Sequence, residues 1–229
     1  MSFSQNFTVI IPLRAGSKGL PNKNITELGG KSLYLYAVDL ALEANASRII
    51  VTTNIDKVFQ SKLDERVEVL GRPEKLCSDT MAMSPVLLHA IEKSAVRGIV
   101  VLLQPTSPLR SLEDLRASLD LFERSGSDLV LTVTAADSSV LKWGELSVDG
   151  FFRPLSSVKH VFSNRQSLPP VYKPNGAVYV FSAEWLLKNK EIDNAKTISG
   201  VKMPDSRSHD IDTLEDFALC QEILTDSRE

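Results

Sequence analysis

The stretch FTVIIPLRAGSKGLPNKN, residues 7–24, decides the fold, because it joins a short apolar run to a loop of cations and glycines. The loop carries Arg14, Lys18 and Lys23, with Gly16 and Gly19 between them. No acidic residue precedes Glu27. An apolar strand that ends in such a loop is typical of an open α/β sheet, in which ligands bind beyond the carboxyl ends of the strands. Glycines let backbone N–H groups approach a ligand closely, so we expect the loop to bind a triphosphate or pyrophosphate. A solvated basic turn is the alternative.

Similar apolar runs recur along the chain, and helical patterns lie between several of them. The runs cover residues 48–53, 67–70, 98–104, 128–134 and 177–181. Helical periodicity covers residues 32–45, 84–95, 111–125 and 212–224. The alternation predicts an α/β fold with a mostly parallel central sheet. Ser111 and Asp114 open the third helix with the pattern of a capping box.

The alternation breaks after about residue 135. Residues 143–155, WGELSVDGFFRPL, predict a hairpin around an Asp-Gly turn that leaves two phenylalanines exposed. The irregular segment that follows contains three prolines and is too long for a plain loop in a compact domain. We therefore expect one domain, residues 1–229, with an inserted arm at about 140–174 that packs on a second subunit. An internal lid is the alternative.

Composition excludes several classes of protein. The 229 residues include 26 basic and 29 acidic side chains, a net charge of −3, which argues against a nucleic-acid binder. Cys77 and Cys220 are far apart and form no CxxC motif, so a reduced, cytoplasmic compartment is expected. The sequence begins without the pattern of a signal peptide, and no apolar run approaches the ~20 residues that span a bilayer, so no membrane partner is expected.

Five blocks of sequence together resemble the N-acylneuraminate cytidylyltransferases, which activate nine-carbon acidic sugars as CMP esters. Besides IPLRAGSKGLPNKN, they are RPEKLCSDT (72–80), LLQPTSPLR (102–110), KPNGAVYVF (173–181) and DIDTLEDF (210–217). The resemblance implies a Rossmann-like nucleotidyltransferase fold with a dimerisation arm, and a homodimer. It also implies a reaction in which the anomeric hydroxyl of the sugar attacks the α-phosphorus of CTP and pyrophosphate leaves.

The resemblance also assigns roles to individual residues. The catalytic set that it implies is Arg14, Lys18, Lys23 and Asp212. The nucleotide-binding set is Arg14, Gly16, Lys18, Lys23, Asn24, Arg72, Ser78 and Asp79. The sugar-binding set is Gln104, Thr106, Ser107, Lys142, Arg165, Asn175 and Tyr179. Some of the last group come from the partner subunit in relatives, and plain surface charge is the alternative for Lys142 and Arg165.

Asp210 and Asp212 form a second chemical signal. Carboxylates two residues apart on an extended segment point the same way. Two oxygen ligands on one face suit Mg²⁺, which takes its other ligands from water and phosphate. The family resemblance likewise implies that this pair holds the catalytic metal. The alternative, that Asp212 caps the last helix, does not account for Asp210.

The identity of the acidic sugar stays open at this stage. Sialic, legionaminic and pseudaminic acids differ in ring substituents and stereochemistry, which the sequence does not distinguish. A different class of protein, a non-catalytic regulator that binds a nucleotide or sugar, is also considered. The presence of both the cations and the Asp pair argues against it, because a binder has no need for a metal at the α-phosphate.

Overall fold

The structure is a computed structural model that describes residues 6–16 and 20–226. Its strands are β1 (Phe7–Pro12), β2 (Glu27–Leu28), β3 (Lys31–Ser32), β4 (Arg48–Thr53), β5 (Val67–Gly71), β6 (Ile99–Leu103), β7 (Leu129–Ala136), β8 (Gly144–Leu146), β9 (Phe152–Pro154), β10 (Val171–Ser182) and β11 (Ile198–Lys202). Its α-helices are α1 (Leu33–Glu43), α2 (Asp56–Phe59), α3 (Met83–Lys93), α4 (Leu112–Ser125), α5 (Val158–Phe162), α6 (Ala183–Asn189) and α7 (Leu214–Asp226).

Seven strands form the central sheet, in the order β11-β7-β10-β6-β1-β4-β5. The pairs β1–β4, β1–β6, β4–β5 and β7–β11 are parallel, whereas β10 runs antiparallel to both of its neighbours, β6 and β7. The predicted α/β fold with a mostly parallel sheet is therefore confirmed. The antiparallel direction of β10 and the edge strand β11 were not predicted.

Both faces of the sheet are covered, which explains why its strands are apolar throughout. Successive side chains of a strand point to opposite faces. Val9 and Ile11 of β1 therefore pack in the cluster that includes α1 and α4. Ile10 packs in the cluster that includes α3 and α6. Every residue of β1 is buried, so the loop that follows it starts from a rigid position in the sheet.

A third apolar cluster brings the two ends of the described chain together. It packs Leu20 of the cationic loop and Leu28, which follows the loop, against Ile211 and Cys220 near and within α7. The amide of Gly29 also donates to the side-chain carbonyl of Gln221, at 2.7 Å. This packing fixes the Asp-Ile-Asp segment beside the loop that follows β1.

The segment predicted as an arm contains the expected hairpin. Strands β8 and β9 pair antiparallel, with Gly144 opposite Pro154. The segment after it is more regular than predicted, because it contains α5 and because β10 already begins at Val171. Packing of this segment on a second subunit stays a prediction. Within residues 6–16 and 20–226, no helix combines the length and apolar character needed to cross a bilayer.

Candidate active site

A cavity of about 520 Å³ opens at the carboxyl ends of β1 and β6. Its lining comes from the loop after β1, the segment after β5, the loop after β6 and the segment before α7. The lining residues are Pro12, Arg14, Lys23, Asn24, Arg72, Asp79, Met83, Gln104, Pro105, Thr106, Asp210 and Asp212. The cationic loop and the Asp pair, separated by almost the whole sequence, therefore meet in one cleft.

Two asparagine side chains hold the described part of the cationic loop. The amide of Ala15 donates to Oδ1 of Asn54 at 2.9 Å, and Nδ2 of Asn24 donates to the carbonyl of Arg14 at 3.1 Å. Gly16 has a φ of 74°, a backbone conformation that favours glycine, but it does not line the cavity. Lys18 lies outside the described residues.

Arg14 is held at the wall of the cavity by an ion pair. Its Nη2 lies 2.5 Å from Oδ1 of Asp79, and both side chains are about 30% exposed, at 28% and 30%. A phosphate group that binds Arg14 would compete with this carboxylate. Ser78, predicted beside the nucleotide, is exposed and does not line the cavity.

Arg72 is a buried cation on the same wall. Its Nη2 donates to the carbonyl of Thr52 at 3.1 Å, whereas its Nε has no hydrogen-bond partner among the described residues. Burial lowers the pKa of Arg72 to about 10, which leaves the guanidinium charged at neutral pH. A buried charged donor without a partner is costly, so this side chain is suited to an anionic or carbonyl-bearing ligand.

Lys23 joins the loop after β1 directly to the Asp-Ile-Asp segment. Its Nζ donates to the carbonyl of Ile211 at 2.5 Å and to Oδ1 of Asp212 at 2.9 Å. The side chain of Lys23 is 11% exposed, whereas that of Asp212 is 74% exposed. The carboxylate of Asp212 therefore remains open to a ligand on its other side.

The cap of α7 bears on the alternative interpretation of Asp212 as a capping residue. Thr213 accepts a hydrogen bond from the amide of Asp216 through Oγ1 at 3.2 Å, and Oδ2 of Asp216 accepts from the amide of Thr213 at 2.8 Å. This reciprocal pair is a capping box that begins at Thr213. The helix thus has its cap without the carboxylate of Asp212.

Asp210 presents an oxygen that lacks a partner. Its Oδ1 is buried and has no hydrogen bond within the part of the chain that the structure describes. Burial raises the pKa of Asp210, and the charge of Asp212 raises it further, while Thr106 and Lys23 act in the opposite direction. A bound cation would stabilise this carboxylate. Two carboxylates fit a hard divalent cation that takes its other ligands from a substrate and water. The described residues contain no cluster of three or more His, Cys, Asp and Glu side chains that could hold a metal by themselves.

A second cavity, of about 480 Å³, shares Gln104 and Asp210 with the first. Its other lining residues are Lys173, Pro174, Asn175, Gly176, Tyr179, Ser208, His209 and Asp216. Gln104, Asn175 and Tyr179 of the predicted sugar set therefore lie on one wall, and Thr106 lines the neighbouring cavity. Ser107 is buried and its hydroxyl has no partner among the described residues.

A bulge in β10 shapes this wall. The register with β7 shifts between Pro174 and Tyr179, and Gly176 takes a φ of 77°. The amide of Asn175 is fully used inside the bulge, since its Oδ1 accepts from the Thr132 hydroxyl at 2.6 Å and its Nδ2 donates to the Ser208 hydroxyl at 2.9 Å. Asn175 therefore braces the wall, and its predicted contact with a sugar stays a prediction.

The sequence did not lead us to predict a role for Arg110, although this residue ends the LLQPTSPLR block. Its Nη1 donates to the carbonyl of Gln104 at 2.6 Å and to that of Ala177 at 3.0 Å. Burial lowers the pKa of Arg110 to about 9, and the charge of Asp210 acts in the opposite direction. The side chain ties the loop after β6 to β10 behind the two cavities.

The segment before Asp210 is anchored by side chains that sequence reasoning also missed. Arg207 donates from Nε and Nη2 to the two carboxylate oxygens of Asp114, at 3.0 and 2.8 Å. Asp205 accepts a short hydrogen bond from the hydroxyl of Thr134. Because partners so distant in sequence leave no local pattern, no signal in the sequence pointed to these contacts.

Lys142 and Arg165 line neither cavity. Arg165 is 76% exposed and its Nη2 lies 3.0 Å from Oδ2 of Asp137 within the same chain. The structure therefore does not bring these two residues to the cleft of their own chain. A role at the cleft of a second subunit stays a prediction.

Comparison with known proteins gives a consistent result. The sequence profile of the family described as cytidylyltransferase matches residues 8–222. The chain is 29% identical, over 91% of its length, to an N-acylneuraminate cytidylyltransferase of Streptococcus agalactiae, of which it covers 51%. It is also 29% identical to the CMP-N,N'-diacetyllegionaminic acid synthase of Legionella pneumophila, with 94% of both chains covered. The chain thus spans about half the length of the first relative and nearly all of the second.

The fold agrees with a solved structure of the same kind. A CMP:2-keto-3-deoxy-manno-octonic acid synthetase, solved in complex with CTP, superimposes with a TM-score of 0.74. It covers 97% of this chain, and 100% of its own length is matched, at 15% sequence identity. This likeness confirms the Rossmann-like fold. The family match over most of the sequence, together with a cleft that joins a cationic loop to an Asp pair, shows that the chain belongs to the cytidylyltransferase family.

Proposed function

We propose that this chain transfers CMP from CTP to the anomeric hydroxyl of a nine-carbon acidic sugar and releases pyrophosphate. The observation that carries the proposal is the cleft itself, because Arg14 and Lys23 line the same cavity as Asp210 and Asp212. The names of relatives over more than nine-tenths of the chain, among them N-acylneuraminate and legionaminic acid enzymes, support the same substrate class.

The chemistry asks the chain for alignment and charge neutralisation. The oxygen of the sugar hydroxyl forms a bond to the α-phosphorus of CTP and loses its proton to solvent. The bond from that phosphorus to the bridging oxygen breaks, and pyrophosphate departs with the electron pair. Phosphoryl-type transfer needs the two oxygens in line and the developing negative charge neutralised. Arg14 and Lys23, with Lys18 as predicted, would hold the triphosphate, and the buried Arg72 would contact the nucleotide.

Mg²⁺ is the proposed cofactor. Asp210 and Asp212 would hold it, because one offers a buried oxygen without a partner and the other an exposed carboxylate. When bound, such an ion polarises a phosphate oxygen and neutralises charge on the leaving group. Besides holding the triphosphate, Lys23 would tie Asp212 to the loop that receives the phosphates.

The acidic sugar would occupy the second cavity, which adjoins the first through Gln104 and Asp210. Gln104 and Tyr179 offer polar groups to a polyhydroxylated ring. Sialic acid is the first candidate, and legionaminic and pseudaminic acids are the alternatives.

We also propose an oligomeric state and a cellular compartment for this chain. We expect one domain with an arm at about 140–174, acting as a homodimer through that arm. The exposed apolar side chains of the arm support this arrangement. A cytoplasmic setting without nucleic-acid partners agrees with the excess of acidic residues and with the two free cysteines.

Pyrophosphate release from CTP and Mg²⁺ tests the function, with sialic, legionaminic and pseudaminic acids supplied in turn. The wild-type chain should release pyrophosphate with one of them, and Asp210→Asn should lower turnover by roughly 10³-fold, since it removes the charge that holds the cation. Asp39→Asn, which alters a surface ion pair with Lys31, is the matched control and should stay at the wild-type rate. A wild-type chain that binds CTP but consumes no acidic sugar would support the non-catalytic regulator instead.

A further inference from the structure

We propose that Lys173 supplies the positive charge that recognises the carboxylate of the acidic sugar. The inference deepens the function proposed above and rests on it. The carboxylate of the sugar would then be bound by a side chain of the same subunit that carries Gln104 and Asp210.

The position of Lys173 follows from the register of β10. Lys173 pairs with Thr134 of β7, immediately before the bulge that begins at Pro174. Its side chain lines the second cavity together with Gln104 and Tyr179. Tyr172, one residue earlier, packs under the ammonium of Lys202 at 5.5 Å from the ring centroid. Neighbouring side chains of a strand point to opposite faces, so the strand itself aims Lys173 toward the cavity.

The charge of the cavity favours such a cation, even with a metal ion held at Asp210, because Asp216 also lines the cavity. Asp210 and Asp216 both line it, so an anionic sugar that enters meets two carboxylates of the protein. Like charges at short distance disfavour binding. Among the described residues that line this cavity, Lys173 is the one lysine or arginine, and His209 is the one histidine. Lysine is the permanent cation of the two at neutral pH.

The ammonium of Lys173 is available for a ligand. Within residues 6–16 and 20–226, its side chain forms neither an ion pair nor a hydrogen bond. Arg165, by contrast, is paired with Asp137 and lines neither cavity of its own chain. A cation that is unpaired and faces a cavity is the better hydrogen-bond donor to a carboxylate.

Steady-state kinetics with separate variation of sugar and CTP tests the assignment. Lys173→Gln should raise the KM for the acidic sugar by roughly 10- to 100-fold, the range expected for a hydrogen bond to a charged group. The KM for CTP should stay within about twofold, because no phosphate-binding group is altered. Lys173→Arg should restore most of the affinity. Lys202→Gln is the matched control, since Lys202 is a nearby lysine that lines neither cavity.

A sugar whose carboxylate is converted to a carboxamide separates charge from shape. With this analogue, wild type and Lys173→Gln should bind equally in a titration calorimeter. An equal loss of affinity for acid and amide would overturn the proposal, because the variant would then have altered the wall and not the charge.

The remaining outcomes distinguish this inference from the proposed function. If wild type consumes an acidic sugar and Lys173→Gln has the same KM, Lys173 is excluded while the function stands. If Arg165→Gln or Lys142→Gln raises that KM instead, the carboxylate belongs to one of those side chains. If wild type neither binds nor consumes any acidic sugar, both proposals fall together.

Discussion

The cleft and the arm differ in whether their side chains have partners within the chain. In the cleft, Lys23 binds Asp212, and Arg207 binds Asp114 to anchor the segment before Asp210, so polar groups from distant parts of the chain bind one another. In the arm, large apolar side chains face solvent. Phe151 and Phe162 are 76% and 84% exposed, and Leu155 is 62% exposed.

The difference shows which interactions a single chain forms by itself and which surface it leaves exposed. Many hydrogen bonds and ion pairs of the cleft form within a single chain. Among the described residues, buried atoms of Asp210, Arg72 and Thr106 in its lining have no hydrogen-bond partner. The arm exposes apolar surface that water does not favour. Exposed apolar surface on a soluble protein can mark an interaction site, so we propose that the arm is the part that packs on a second copy.

The largest expected effect comes from removing apolar surface from the arm. The double variant Phe151→Ser, Phe162→Ser should weaken self-association by at least about 100-fold, since each buried aromatic side chain contributes roughly 1.5–3 kcal/mol. Sedimentation equilibrium across micromolar concentrations measures the association. Neither side chain supports the core, so the variant should remain folded.

Phe59→Ser is the matched control for the arm. Phe59 is 47% exposed on α2, outside the arm, and its loss should leave the association constant unchanged. A wild-type chain with a monomeric mass at micromolar concentration would contradict the assignment of the arm to a dimer.

The next effect concerns the ion pair that anchors the segment before Asp210 and Asp212. Arg207→Met leaves the carboxylate of Asp114, whose side chain is 5% exposed, without its bidentate partner. Loss of one partner of a fully buried pair costs about 3 kcal/mol or more. Because Arg207 is itself 35% exposed, the free energy of unfolding in urea should fall by about 2 kcal/mol. Arg66→Met, which removes a surface pair with Asp64, is the control and should change stability by less than about 1 kcal/mol.

The same pair gives the anchor a pH signature. Burial alone would raise the pKa of Asp114, but hydrogen bonds from Arg207 and Ser111 outweigh it and lower that pKa below its ordinary 3.8. A lowered pKa in the folded state contributes stability above the unfolded-state value, and this contribution is lost as pH falls through the folded-state value. The stability gap between wild type and Arg207→Met should therefore narrow below about pH 4. A gap that is constant from pH 7 to pH 3 would show that the carboxylate is not involved.

The features of this molecule that the sequence predicts depend on residues that lie close together along the chain. Val9, Ile10 and Ile11 indicate a strand covered on both faces, and the spacing of Asp210 and Asp212 indicates a ligand pair. Ser111 and Asp114 predict a capping box, and both of its hydrogen bonds are present.

The parts that sequence does not predict depend on partners that are distant along the chain. The ion pair between Lys23 and Asp212 spans 189 positions. The direction of β10 is set by its pairing with β6 and β7, and its bulge has Pro174 inside a strand, where an absent N–H would normally argue against one. Lys173 was overlooked for the same reason, because only this pairing aims its side chain at a cavity.

The smallest expected effect comes from a change at the N-cap of α4, which tests whether this cap stabilises the fold without affecting the cleft. Ser111→Ala removes the side chain that accepts from the amide of Asp114, at 3.4 Å, at the start of α4. Loss of an N-cap hydroxyl costs about 1 kcal/mol, so the midpoint of urea unfolding should fall slightly. Arg207 still holds both oxygens of Asp114 in this variant, so pyrophosphate release should stay within about twofold of wild type. A loss of activity much larger than the loss of stability would show that the cap of α4 positions the segment of Asp210 and Asp212, and that the cleft is less completely braced than its ion pairs indicate.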